Sequence, residues 1–254
     1  MAGAVPPAGY VRVTAGRCAA VVLQRFVDDA RRLLADGSLY HAAARDLAAR
    51  AMQGRGIAYS IALPVSGVRV VVRHNRHGGL LAPLTRDLFL PPTRAPLELT
   101  IALELRKLGV PTPEIVMYGI SPAPFPFQRA DVVTLEIENA GDLSESLSAS
   151  GDERDRRSAW EATRTLVRTM NDAGVRHHDL NVKNVLIAGP EGARTAFLLD
   201  VDRVTFGAPG SLEIAAANVA RLRRSARKWR DERGAIFDER ELDGLDPAPA
   251  AGAA

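Results

Sequence analysis

The stretch Val175-Arg-His-His-Asp-Leu-Asn-Val-Lys-Asn-Val-Leu-Ile187 restricts this chain more than any other part of it. Asp179 is followed five residues later by Asn184, and at once by an apolar run, Val185–Ile187. A second apolar run, Ala196–Leu199, ends in Asp200 and, two positions on, Asp202. Gly189-Pro190 and Gly192 lie between the runs and favour a turn, so the runs read as short neighbouring strands. An acid and an amide before one strand would then lie beside an acid after the other. Such a set can hold a hard cation such as magnesium, which needs few protein oxygens, and leave one carboxylate to accept a proton. Phosphoryl transfer asks for that kind of positioning and charge, and little covalent chemistry. Two blander readings stay open: a polar turn capping a strand, or a metal site using His177 and His178. No third His or Cys cluster accompanies those histidines.

Composition limits the setting. With 254 residues the chain can form one large domain or two lobes, and 46% hydrophobic against 25% charged residues suits a soluble globular fold. No apolar run approaches the ~20 residues needed to cross a bilayer. No basic region leads into an apolar N-terminal segment, so a secretory leader is not expected. The single cysteine, Cys18, excludes an internal disulfide, points to a reducing compartment and reads as a small core residue. Arg221, Arg223, Arg224, Arg227, Lys228, Arg230 and Arg233 crowd one late segment. They can meet phosphate or anionic lipid, or form the solvated face of a packed helix. Nucleic acid is not an expected partner, since only Trp229 offers a stacking ring there.

The expected organisation is α+β. Residues 1–8 and 244–254 read as loose tails, 9–138 as a β-rich N-terminal lobe, and 139–243 as a helix-rich C-terminal lobe. A helix is predicted over 24–36, stopped by Gly37, and a hairpin from Ile57–Leu63 and Val68–His74. Leu97–Leu108 fits both periods, but its Glu, Ala, Arg and Lys filling and the Gly109-Val-Pro111 stop favour a helix. Strands follow at Glu114–Ile120 and Val132–Ile137, with Asn139–Asp142 as connector. Trp160, Thr163, Val167 and Met170 mark a helix ending at Gly174. A last helix starts near Ser211 with Leu212, Ala216, Val219, Leu222, Ala226 and Trp229 on its apolar side. A cleft between such lobes is where a nucleotide is expected.

With these blocks in view, the chain resembles the protein-kinase-like fold and, within it, the lipopolysaccharide kinase family, most closely its 3-deoxy-D-manno-octulosonic acid (Kdo) kinase class. The likeness rests on Gly54-Arg-Gly56, on 71–80 with its Gly78-Gly79, on Glu98 through Pro113, on His177 through Asp202, and on Asn218–Ser225. It implies a two-lobe fold with a short helical C-lobe. It implies Asp179 as the base for an acceptor hydroxyl, Asn184 and Asp200 as magnesium ligands, and His177 as structural support of the loop. On the ATP side it implies Arg73 and its partner Glu98, the glycines Gly54 and Gly56, and Glu136 near the adenine. Arg73–Glu98 could also be an ordinary surface pair. His74, Arg76 and His77 could bind an anionic acceptor or simply end a strand.

The chain departs from protein kinases at Arg73, where they carry lysine, and at Val201-Asp202, where they carry Phe-Gly. The latter leaves Asp200 and Asp202 as rival metal ligands, with spacing favouring Asp200. The 54 residues after Asp200 include no Ala-Pro-Glu element, which points to a small or lipid-linked acceptor. The expected activity is therefore ATP- and magnesium-dependent phosphorylation of a Kdo hydroxyl in the lipopolysaccharide inner core, on Kdo-lipid A. The expected location is cytoplasmic, peripheral on the anionic inner membrane. An aminoglycoside- or choline-kinase-like phosphotransferase and a nucleotide-binding pseudokinase scaffold are the alternatives.

Overall fold

Alternating apolar residues in 10–23, around a glycine turn, begin the architecture. In the computed structural model, which describes residues 5–53, 56–75, 87–148 and 152–245, β1 (Tyr10–Ala15) and β2 (Cys18–Leu23) pair as a hairpin. Gly16 turns the chain between them at φ +55°, where a side chain would be strained. All counts are of those described residues.

The chain divides into two compact units. The first comprises residues 1–100 and 114–136. Two helices follow the hairpin, α1 (Val27–Ala35) and α2 (Leu39–Arg45), then β3 (Arg50–Gln53), β4 (Ile57–Ala62) and β5 (Arg69–His74). After α3 (Ala95–Lys107) come β6 (Ile115–Pro122) and β7 (Gln128–Leu135). The strands form one sheet in the order β1-β2-β6-β7-β5-β4-β3, antiparallel throughout. Period-two alternation puts Val13, Ala20, Val22, Met117, Val133, Val70, Val72 and Ile61 on the face that packs against α1 and α2. Close approach is enforced at Gly119, where a Cβ would stand 2.7 Å from Leu39 Cδ1. The predicted 57–74 hairpin, the helix over 97–108 and both later strands are present, each within a few residues of its expected bounds.

The second unit comprises residues 101–113 and 137–254, so α3 begins in one unit and ends in the other. Here β8 (Gly141–Asp142) leads into α4 (Leu143–Ser146) and the long α5 (Glu153–Asp172). Then β9 (Val175–His177), β10 (Val185–Ala188), β11 (Thr195–Leu198) and β12 (Val204–Phe206) precede α6 (Leu212–Arg233) and α7 (Glu239–Asp243). The strands make two small sheets, β11-β10-β8 and β12-β9. The expected stripe Trp160, Thr163, Val167 and Met170 is the buried side of α5.

Helix α6 corrects the sequence reading. Its cap is Ser211 as expected, but its buried side is Ala215, Asn218, Val219, Leu222 and Ala226, while Leu212 is 74% exposed. An asparagine replaces an aliphatic residue in the centre of that face because it bonds backbone beneath it. Leu245, inside the expected 244–254 tail, is buried, and residues 246–254 lie outside the described residues. No helix among the described residues is long and apolar enough to cross a membrane.

Gly174 is the tightest point of this unit. It ends α5 at φ +67°, and a Cβ there would lie 2.5 Å from Gly207 O and 2.7 Å from Ala208 O. Gly207 N–H bonds Gly174 O at 2.8 Å, so neither segment can back away freely. Gly174→Ala should lower unfolding free energy by at least about 1–3 kcal/mol from backbone strain alone, read by denaturant unfolding. An unchanged midpoint would refute the packing argument.

Candidate active site

Strand β9 delivers His177, and the chain then turns through Asp179 and a 3-10 turn, Val182–Asn184, into β10. Strand β11 pairs antiparallel with β10, Val185 opposite Leu198, so Asn184 and Leu199 lie side by side just outside the ladder. Leu199 N–H bonds Asn184 O at 2.9 Å. The hairpin expected from the two apolar runs therefore exists, and it brings the loop carrying Asp179 beside the one carrying Asp200.

His177 joins the two loops. Its side chain is almost fully buried. Nδ1 accepts from Asp179 N–H at 3.1 Å, while Nε2 lies 3.1 Å from Leu199 O and 3.2 Å from Asp200 O. Only the neutral imidazole with its proton on Nε2 satisfies all three, so the network assigns the tautomer. Both nitrogens are thus spent on protein, which rules the ring out as a metal ligand. Among the described residues no group of three or more His, Cys, Asp or Glu side chains could hold a metal ion. His178 turns elsewhere, its Nε2 2.9 Å from Thr205 Oγ1.

Asn184 is buried and its Nδ2 donates to Asp179 O at 2.9 Å. That bond commits the amide nitrogen and leaves Oδ1 as the atom that could meet a cation. Asp200 takes the left-handed conformation, φ +52° and ψ +47°, at the start of the 3-10 turn Val201–Arg203. A non-glycine residue there stores roughly 1–3 kcal/mol of strain, a cost met most often where function fixes a side chain. Asp202 has ordinary helical placement in that turn. The donor set of Asn184 Oδ1 and the Asp200 carboxylate fits magnesium, which takes two protein oxygens and completes its shell from phosphate and water.

In the first unit, Arg73 and Glu98 form an ion pair. The Glu98 side chain is 4% exposed, so this is not a surface pair of the kind that contributes little. Gly56 is described and Gly54 lies outside the described residues, as do Arg76, His77, Gly78 and Gly79. The Glu136 carboxylate is spent across the sheet: it accepts from Ser60 Oγ at 2.6 Å, Arg50 at 2.5 Å and Arg69 Nε at 2.9 Å. Burial alone would raise the Glu136 carboxyl, but the hydroxyl and the two guanidiniums outweigh it and hold it below the usual range.

Sequence reasoning placed α6 but missed what it does for the loop that carries Asp179. Asn218, Arg221 and Ser225 share one side of α6 and touch the loop in order. Asn218 Oδ1 accepts from His177 N–H at 3.1 Å, and its Nδ2 donates to Val175 O at 2.8 Å and Asn171 Oδ1 at 3.0 Å. Arg221 pairs with the Asp179 carboxylate, and Ser225 Oγ accepts from Val182 N–H at 3.2 Å. Polar residues at i, i+3 and i+7 beside an apolar stripe were the available signal. The basic face is also largely spent within the chain. Arg223 bonds Leu242 O, while Arg227 and Arg230 both meet Glu239.

Burial pulls the His177 imidazole below the ordinary histidine value of 6.5, more than the Leu199 and Asp200 carbonyls raise it. A group neutral when folded and protonated when unfolded makes stability fall as pH drops below that ordinary value. His177→Gln should cost about 1–3 kcal/mol at pH 8 through broken buried hydrogen bonds, and the cost should shrink below pH ~6.5. Paired denaturant unfolding from pH 8 to 5 checks this. A cost that grows on acidification would contradict the neutral ring.

Comparison with known proteins fits this geometry. Residues 42–238 match the model of the lipopolysaccharide kinase (Kdo/WaaP) family. The 3-deoxy-D-manno-octulosonic acid kinase of Actinobacillus succinogenes is 31% identical over 200 residues, covering 76% of this chain and 80% of that protein. Its Haemophilus influenzae counterpart is 30% identical over 182 residues, covering 69% and 73%. A structure of WaaP in complex with acyl carrier protein aligns with a TM-score of 0.52 at 19% identity, covering 89% of this chain and 86% of that one, and shows the protein-kinase-like fold. With the family model spanning most of its length, this kinase belongs to the lipopolysaccharide kinase (Kdo/WaaP) family.

Proposed function

We propose that the protein transfers the γ-phosphoryl group of ATP, with magnesium, to a hydroxyl of Kdo in the lipopolysaccharide inner core, on Kdo-lipid A. The observation that carries this reading is the knot around His177, which ties the Asp179 amide to the carbonyls of Leu199 and Asp200. The names of the similar kinases support the sugar. The Asp179 carboxylate orients the acceptor hydroxyl and takes its proton. Asn184 Oδ1 and Asp200 hold magnesium, which when bound offsets charge on the phosphate oxygens. Arg73, steadied by Glu98, meets phosphate through a planar fork rather than the point charge of a lysine. Gly56 and the backbone near Glu136 serve the nucleotide, and Gly54 belongs to the same proposal.

The enzyme works at the cytoplasmic side of the inner membrane, where ATP and a lipid-linked acceptor meet. Because most arginines of α6 bond within the chain, the acceptor's lipid part rather than that helix face would carry the membrane contact. Asp179→Ala should cut transfer from labelled ATP to Kdo-lipid A by about 10²–10⁴-fold, with unfolding little changed. Asp200→Ala should behave likewise while Asp202→Ala keeps most activity, with mass spectrometry of the core sugars as readout. Turnover surviving in Asp179→Ala would reject the base. Phosphate appearing on a soluble aminoglycoside or choline, but not on Kdo, would reject the acceptor.

A further inference from the structure

The reading above leaves one cation beside the proposed base without a role. Arg221 projects from α6 onto Asp179 and donates through Nη2 to its Oδ1. Its position is fixed from both sides, because Asn218 bonds the loop before Asp179 and Ser225 bonds it after. The pair is not sealed: the Arg221 side chain is 44% exposed and that of Asp179 is 22% exposed. A guanidinium presents five N–H groups in one plane, so it can hold one carboxylate and still face a second oxyanion. The other cation of the loop, Lys183, is held by Asp142 at 2.6 Å and stands 5.4 Å over the Trp229 ring.

A sugar acid poses a specific problem at such a site. Its hydroxyl must reach the Asp179 carboxylate while its own carboxylate is repelled by that group. We propose that Arg221 solves this as an acceptor-docking residue: it neutralises Asp179 and also receives the acid group of the acceptor sugar, which places the hydroxyl at the base. The inference rests on the phosphotransfer reading above and adds how an acidic sugar is selected. A neutral sugar gains nothing from Arg221, so selectivity for the acid is the signature. Simple support of Asp179 would affect acid and neutral acceptors alike.

The test uses the whole protein and two acceptors, Kdo-lipid A and the same molecule with its sugar carboxyls converted to methyl esters. The wild type should favour the acid about 10–100-fold in kcat/KM, the range expected of one charge-assisted contact. In Arg221→Gln that ratio should fall to within about twofold, mostly through a higher KM for the acid, while Arg221→Lys keeps an intermediate ratio. Arg221→Lys also serves if the glutamine variant fails to fold. Equal slowing of both acceptors, or a preference for the acid that survives both substitutions, overturns the docking role and leaves phosphotransfer standing. A wild type that phosphorylates neither acceptor overturns the acceptor reading and this site with it.

Discussion

A buried imidazole has one donor and one acceptor to satisfy, and in this protein both are used to hold two loops together. His177 accepts from the Asp179 amide and donates toward the carbonyls of Leu199 and Asp200. Protonation would replace the acceptor with a second donor aimed at an N–H, so the ring works only when neutral, and burial favours that state. The rest of the site is arranged around this bond set. Asn184 bonds the Asp179 carbonyl and the Leu199 amide, closing a loop of contacts in which moving one candidate residue moves the others. Asn218 is fully buried beneath it and satisfies its amide with three bonds to Asn171, Val175 and His177. Truncating that side chain would leave backbone groups on β9 without partners, which costs more than the bonds contribute when made.

This rigidity explains how Asp200 can remain in a conformation that most residues avoid. The strain of about 1–3 kcal/mol is offset by neighbours on both sides. Leu199 N–H is held by Asn184 O, Asp200 O receives His177, and Arg203 N–H closes the turn on Asp200 O at 3.1 Å. The first unit uses charge instead of backbone strain. Glu98 is buried, and its pairing with Arg73 offsets a desolvation cost that neither group could bear alone. Each side chain proposed to meet the nucleotide is therefore fixed before any ligand arrives, which is how positioning lowers a barrier dominated by geometry and charge.

The sequence revealed those parts whose signal is local. Periodicity placed the helix around Trp160 and Met170, the hairpin at 57–74 and the strands on either side of Gly189, because each buries one face of a regular element. The pairing that sets the Asp179 loop beside Asp200 was legible because two apolar runs flank a Gly-Pro turn. The first hairpin, Tyr10–Leu23, and α2 went unassigned, being short elements stabilised by a distant sheet. What the sequence hid most completely was tertiary. Asn218 looks like a polar interruption of an apolar stripe until β9 is seen beneath it, and Glu136 looks free until Arg50, Arg69 and Ser60 converge from other strands. No spacing rule encodes a partner 41 or 86 residues away.

The arginine-rich helix shows how charge can mislead when it is counted on one element alone. Read by itself, 221–233 is a basic surface suited to anionic lipid. Its acidic complement lies close by in the chain: Asp231 and Glu232 on the same helix, and Glu239 and Asp243 on α7. The 33 basic and 30 acidic residues of the chain nearly balance, and these four acids offset part of the segment's seven basic residues. Exposed pairs of this kind add little to stability, but they weaken the field that would draw the helix to a membrane. Arg221 differs from its neighbours because its partner is the proposed base and not the following helix. One position of a partly neutralised face is thereby turned toward the proposed base, and its charge is the one whose removal should be felt by the substrate.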